Sequence, residues 1–107
     1  MSVHEVTSRN FDVEVLQSSM PVIVDFYSTQ CPPCRALAPH LDQLAEEFAG
    51  CVKIVKVNVD HDPSLAIQSH VSAVPTLVWF DEGQETHRTL GANPATLRQM
   101  LTTLCIA

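Results

Sequence analysis

Two cysteines separated by two residues are the part of this sequence most able to do chemistry. Cys31 and Cys34 lie between an apolar segment that ends near Tyr27 and a segment with helical periodicity that begins near Pro32. Such a pair either cycles between dithiol and disulfide or supplies half of a zinc site. Its position at a predicted strand–helix junction favours redox chemistry.

Two patterned segments must position this pair. Residues 22–27 are β-branched and aromatic without polar alternation, which predicts a central strand covered on both faces, with Asp25 as its one charged residue. Residues 32–49 predict a helix that Gly50 caps and that Pro39 should kink. The apolar face of this helix is formed by Leu37, Leu41, Leu44 and Phe48.

The other segments complete an α/β pattern. Before the central strand come a short strand over 4–7 and a helix over about 8–18. After the long helix come a strand over 52–59, a short helix opened by Asp62-Pro63, and hairpin strands over 76–80 and 85–90 around the loop 81–84. A last helix begins at Asn93-Pro94, with Leu97, Leu101 and Leu104 as its core face. The order β-α-β-α-β-α-β-β-α predicts a mixed sheet of about five strands flanked by about four helices.

The expected position of each sulfur assigns it a role. Cys31 would lie in the N-cap region of the long helix, where unpaired N–H groups and the helix dipole favour a thiolate. Cys34, one turn inside, would be shielded. We therefore expect Cys31 to attack a substrate disulfide and Cys34 to resolve the mixed disulfide, leaving the pair oxidised.

A zinc site is the structural alternative for the pair. Zinc would need two more ligands, and His40 is a conceivable third one that we expect to face solvent. Cys51 and Cys105 are not at ligand spacing, and we expect them to be ordinary packing or partly exposed residues rather than a regulatory disulfide. We predict no metal.

Bulk properties exclude several classes of function. The 107 residues predict one domain over 1–107, large enough to bury a core without disulfides. A formal net charge of −6 and the lack of a basic run argue against nucleic-acid binding. No segment suits a secretory signal or a bilayer span, so we expect no membrane association and a cytoplasmic location. We also expect a monomer.

The motifs together resemble the thioredoxin family over nearly the whole chain. The matching segments are residues 21–27, Cys31-Pro32-Pro33-Cys34-Arg35, Pro39, residues 56–60, Val74-Pro75-Thr76, Gly83 and Gly91-Ala92. The resemblance implies the thioredoxin fold, reduction of protein disulfides, no bound cofactor and recycling by a flavoprotein thioredoxin reductase.

The resemblance also implies roles for residues outside the cysteine pair. Asp25 matches the family's buried acid beneath the resolving cysteine, where a raised pKa would let it exchange protons with Cys34. Lys56 is expected near Asp25 and is counted as catalytic with it, although a purely structural Asp25–Lys56 pair is the alternative. Val74 and Pro75 match the cis-proline loop that presents backbone groups to an extended substrate, and Gly91-Ala92 extends that surface.

Two residues depart from the family pattern at the reactive centre. Family members usually carry Trp before the first cysteine and Gly after it, where this chain has Gln30 and Pro32. Gln30 removes a flat apolar surface from the substrate platform, and Pro32 removes an N–H near Cys31 while pre-setting φ for the helix. A more oxidising oxidant or isomerase, and a partner-binding module with little redox activity, therefore stay open as alternatives.

Overall fold

The sheet is five-stranded and mixed. The computed structural model describes residues 3–106, and its strands are β1 (His4–Glu5), β2 (Val22–Tyr27), β3 (Lys53–Asn58), β4 (Thr76–Asp81) and β5 (Gln84–Leu90). They are ordered β1-β3-β2-β4-β5. β2 runs parallel to β3 and antiparallel to β4, and β4 forms a hairpin with β5. The predicted mixed sheet is confirmed.

Helices cover both faces of the sheet. They are a π-helical segment (Asp12–Leu16), α1 (Pro32–Glu47), α2 (Pro63–Gln68) and α3 (Pro94–Ile106). Among residues 3–106, none of them combines the length and the apolar character that crossing a membrane requires. These segments correspond to the four helices that the sequence predicts.

The first helix is much shorter than the predicted span of 8–18. The Thr7 N–H donates to the Asn10 side-chain oxygen over 2.9 Å, and the Arg9 N–H donates to the Thr7 hydroxyl over 3.3 Å. These side chains accept hydrogen bonds from backbone N–H groups and so favour a turn over a helix. Residues 8–10 form a turn. The helical residues are Phe11, whose N–H donates to the Thr7 carbonyl, and the π-helical segment Asp12–Leu16, where the Gln17 N–H donates to the Asp12 carbonyl.

β2 is the centre of the hydrophobic core. Its residues from Val22 to Phe26 are all buried, and their side chains alternate between two apolar clusters on opposite faces. Ile23 packs in the cluster that contains Leu37, Leu41 and Leu44 of α1, which confirms the predicted apolar face of that helix. Asp25 has the same parity as Ile23 and therefore points to the α1 side of the sheet.

Local capping signals place the starts of α1 and α2 as the sequence predicts, but α1 ends at Glu47 with Phe48 as its C-cap, so the predicted end at 49 with Gly50 as the cap is wrong. α1 continues through Pro39, although this residue cannot donate to the Arg35 carbonyl; the kink expected there stays a prediction. The Asp62 side chain caps α2 by accepting from the Leu65 N–H over 3.1 Å, and Pro63 occupies the first helical position. Asp62 also accepts from the Ser8 N–H over 2.7 Å, which joins α2 to the first turn of the chain.

The core face of α3 is one turn shorter than predicted. Leu97 and Leu101 are buried, but Leu104 is 39% exposed and Ile106 78% exposed. Leu104 borders an open groove that it shares with Trp79, His87 and other residues, because the last turn of α3 extends past the apolar cluster that covers Leu101. The assignment of Leu104 to the core is therefore wrong.

Cys51 and Cys105 are joined by a disulfide, with their Cα atoms 5.9 Å apart. Both residues are partly exposed, as expected, but the expectation that they form no disulfide is wrong for a topological reason. Cys51 lies in the turn after α1 and Cys105 in the last turn of α3. Because both helices pack on the same face of the sheet, two residues 54 positions apart in sequence become neighbours.

A two-residue turn of Glu82 and Gly83 closes the β4–β5 hairpin. Both residues have positive φ, 53° and 79°, as a type I′ turn requires. A Cβ on Gly83 would lie 2.8 Å from the Leu16 carbonyl oxygen, a backbone atom. Gly83 is therefore needed both for its conformation and for the close approach to the π-helical segment.

Gly83→Ala should destabilise the fold more than Gly50→Ala, its matched control. Gly50 has a similar φ of 88° but nothing within 4 Å of an added Cβ. We expect G50A to lower the free energy of unfolding by about 1 kcal/mol, from backbone strain alone, and G83A by at least about 2 kcal/mol, since the collision adds to that strain. Equal losses in urea unfolding of the two variants would contradict the close approach.

Candidate functional site

Cys31 is the N-cap residue of α1, as predicted. Its backbone is extended, with φ −108° and ψ 105°, and its sulfur accepts a hydrogen bond from the Cys34 N–H over 3.2 Å. Pro32 and Pro33 occupy the first two helical positions and have no N–H, so that of Cys34 is the first one the helix can offer. Pro32 therefore does not remove the hydrogen bond to the Cys31 sulfur, because the Cys34 N–H donates it.

A turn fixed by Ser28 carries the chain from β2 to Cys31. The Ser28 hydroxyl donates to an Asp60 carboxylate oxygen over 2.6 Å and accepts from the Gln30 N–H over 3.1 Å. The Cys31 N–H in turn donates to the Ser28 carbonyl over 3.3 Å. Ser28 was not singled out in the sequence, because its buried contact with Asp60 depends on the neighbouring end of β3.

Cys31 and Cys34 differ slightly in how deeply they are buried. Cys31 and Cys34 form a disulfide with their Cα atoms 5.2 Å apart. Both residues are buried, and Cys34, at 3% exposed, is buried more deeply than Cys31, at 8% exposed. The two residues that follow and precede Cys31, Pro32 and Gln30, are both exposed.

The loop that contains Val74 and Pro75 packs against the Cys31 sulfur. The Val74–Pro75 peptide bond is cis, and the Val74 carbonyl oxygen lies 3.8 Å from the Cys31 sulfur. The Gly91 N–H donates to the Pro75 carbonyl over 2.6 Å, which brings Gly91 next to the same loop. Ala92, its neighbour in the chain, packs against the apolar cluster under α1.

Asp25 is a buried carboxyl group without full hydrogen bonding. It is 4% exposed, and its Oδ1 atom has no hydrogen-bond partner. Burial raises the pKa of Asp25 from 3.8 to about 7, although the positive charge of Lys56, its register neighbour on β3, acts to lower that pKa. Desolvation is the stronger effect here, as the sequence predicted for a carboxyl group in an apolar strand.

Lys56 lies on β3, beside Asp25 of β2 on one side and Glu5 of β1 on the other. Its Nζ atom lies 5.5 Å from the centre of the Tyr27 ring, in cation–π contact. The Tyr27 hydroxyl donates to the Glu5 carboxylate over 2.8 Å, and the pKa of Tyr27 is raised to about 12, first by burial and then by the Glu5 carboxylate. Sequence reasoning missed Tyr27 and Glu5, since their contact depends on where β1 pairs with β3.

The predicted solvent exposure of His40 is confirmed. Among residues 3–106, the structure contains no group of three or more His, Cys, Asp or Glu side chains placed to hold a metal ion.

The pKa of Asp25 makes stability depend on pH. Folding raises this pKa from 3.8 to about 7, so the folded state binds the proton more tightly, and stability falls as pH rises through that window, by up to about 4 kcal/mol. Asp25→Asn has no charge to desolvate. Urea unfolding should therefore show the Asp25→Asn variant gaining stability over wild type between pH 4 and pH 8, whereas a difference independent of pH would contradict the raised pKa.

Lys56→Met should raise the pKa of Asp25 above about 7, because it removes the cation that favours the carboxylate. Lys56→Arg keeps the charge and is the matched control. The carboxyl carbon of Asp25, followed by NMR as a function of pH, reports the pKa directly. An unchanged pKa in the methionine variant would show that Lys56 does not act on Asp25.

Comparisons with known proteins agree with this geometry. The thioredoxin family model matches residues 2–103. "Thioredoxin 1" of Synechococcus elongatus is 46% identical over 91 residues, 85% of each chain, and "Thioredoxin 1" of Nostoc sp. is 44% identical over 92 residues, 86% of each chain. "Thioredoxin M-type, chloroplastic" of Spinacia oleracea is 36% identical over 92 residues, 86% of this chain and 51% of the spinach protein.

The fold, the paired cysteines and these similarities lead to one family and one chemistry. A Cys31–Cys34 disulfide at the start of α1 can accept two electrons, and the reduced pair can return them to a disulfide. Proteins named thioredoxin match this chain over most of its length. The chain therefore belongs to the thioredoxin family and is a thiol–disulfide oxidoreductase that reduces protein disulfides.

Proposed function

We propose that Cys31 is the attacking thiolate of this reductase and that Cys34 is the resolving thiol. The observation that carries the proposal is the hydrogen bond from the Cys34 N–H to the Cys31 sulfur at the helix N-cap, 3.2 Å long. The same bond and the positive end of the helix dipole would stabilise a thiolate on Cys31 after reduction. The deeper burial of Cys34 leaves Cys31 as the sulfur that a substrate reaches.

The exchange proceeds in two steps. The Cys31 thiolate attacks one sulfur of a substrate disulfide, which forms a mixed disulfide and expels the other substrate sulfur as a thiolate. Cys34 then loses its proton and attacks the Cys31 sulfur, which expels the second substrate thiolate and closes the Cys31–Cys34 disulfide. The substrate gains two electrons and two protons, and since the two thiols carry both electrons, the exchange needs no bound cofactor.

Asp25 is proposed as the proton acceptor for Cys34. Its side chain points to the face of the sheet that α1 covers, and α1 contains Cys34. A group with a pKa of about 7 can accept a proton and give it back near neutral pH. Lys56 would serve this role indirectly, because its charge keeps the pKa of Asp25 from rising further.

The substrate surface is proposed to consist of the residues around the Cys31 sulfur. They are Gln30, Pro32, Val74, Pro75, Gly91 and Ala92. The Val74 carbonyl, 3.8 Å from the sulfur, is placed to meet the backbone of an extended substrate segment. Gln30 gives this surface an amide where an aromatic ring is usual in the family, so partners with polar groups beside their disulfide would suit it.

The surrounding cycle needs a source of electrons. Each reduction leaves Cys31 and Cys34 oxidised, and we propose a flavoprotein thioredoxin reductase as the donor that restores them. We also propose that the protein acts as a monomeric domain over 1–107 in the cytoplasm. A reducing compartment suits a disulfide reductase, and the chloroplastic location printed for the spinach relative belongs to that protein.

Single cysteine variants should separate the two roles. Made in a Cys51→Ser, Cys105→Ser background, Cys34→Ser should form a stable mixed disulfide with oxidised insulin, because no second thiol releases the substrate. Cys31→Ser should form far less, since Cys34 is buried. Intact mass under non-reducing conditions measures both adducts. The proposal fails if C31S captures insulin as readily as C34S; the variant lacking all four thiols controls for background.

A further inference from the structure

The Cys51–Cys105 disulfide has no part in the mechanism above. It links the turn after α1 to the last turn of α3, across 54 residues of sequence. Both cysteines are only partly buried, unlike Cys34 in the reacting pair. A thiolate in solution can therefore approach this disulfide without prior unfolding of the chain.

The two disulfides are too far apart to exchange within one folded molecule. Cys31 precedes the first residue of α1, and Cys51 follows the last residue, Glu47. The 16 residues of α1 correspond to about 24 Å of helix. Any reductant of the Cys51–Cys105 bond must therefore come from another molecule.

Noncovalent contacts weaken toward the end of α3, where Cys105 lies. Leu97 and Leu101 anchor the first part of the helix in the core, but Leu104 and Ile106 are exposed. Arg98 pairs with Glu47 of α1, more than one turn before Cys105, and this pair is exposed to solvent and so contributes little. The disulfide is thus the main attachment of the last turn.

We propose that Cys51–Cys105 is a second redox site, which dithiols reduce in the folded protein and which fixes the last turn of α3 when oxidised. One thiolate of the dithiol attacks a sulfur of the pair and forms a mixed disulfide, and the other cysteine leaves as a thiolate. The second thiol of the reductant then closes its own disulfide. Cys51 and Cys105 gain two electrons and two protons, and the dithiol loses them.

The test uses Cys31→Ser, Cys34→Ser protein, in which only Cys51 and Cys105 can react. Air-oxidised protein is incubated with or without dithiothreitol under native conditions, quenched with acid, and alkylated with iodoacetamide in denaturant. We expect no adducts without dithiothreitol and two with it. If the variant folds poorly, the same measurement is made on wild type, where the number of adducts should rise from zero without dithiothreitol to four with it.

Thermal unfolding and hydrogen exchange test the structural part. Reduction should lower the Tm of the C31S/C34S protein by about 10 °C, since a crosslink across a long loop is lost, and should speed amide exchange over 102–106. A Cys51→Ser, Cys105→Ser version of the same protein should show no change with dithiothreitol.

Three results would overturn the proposal. They are free thiols in the air-oxidised protein, reduction only after denaturant is added, and a Tm that reduction does not change. Because the tested protein lacks the Cys31–Cys34 pair, each of these results leaves the proposed roles of Cys31 and Cys34 untouched.

Discussion

The burial of β2 on both edges and both faces is the constraint on which the rest of the structure depends. β3 and β4 occupy its hydrogen-bonding edges, and apolar clusters cover its two faces. A charged residue in such a strand must lose its water, which is why the pKa of Asp25 is raised to about 7. The same strand ends at Tyr27, so the chain leaves the sheet where α1 begins and Cys31 becomes the N-cap.

Opposing effects act on two groups in and around the site, the Asp25 carboxyl and the Cys31 sulfur. Burial raises the pKa of Asp25, and the Lys56 ammonium acts in the other direction, with desolvation the larger effect. At the helix start, Pro32 and Pro33 remove two backbone donors, yet the Cys34 N–H still reaches the Cys31 sulfur. The residues beside Cys31 therefore differ from those usual in the family, while the start of α1 still supplies its sulfur with a hydrogen-bond donor.

Features with local signals could be predicted from the sequence. The apolar run of β2, the spacing of Leu37, Leu41 and Leu44, and the Asp62-Pro63 cap each depend on neighbours within one or two turns of chain. The Tyr27–Glu5 contact and the Cys51–Cys105 disulfide depend on how distant segments pair or pack, which no local pattern contains. Leu104 fits the spacing of its helix and is still exposed, because spacing does not show where the core ends.

In the proposed mechanism this fold makes Cys31 the reacting sulfur. Limited alkylation of the reduced Cys51→Ser, Cys105→Ser protein with less than one equivalent of iodoacetamide at pH 7, followed by peptide mass mapping, tests this role directly. The thiolate stabilised by the helix N-cap, and the deeper burial of Cys34, predict that nearly all of the label is found on Cys31. Equal labelling of the two cysteines, or faster labelling of Cys34, would contradict the account.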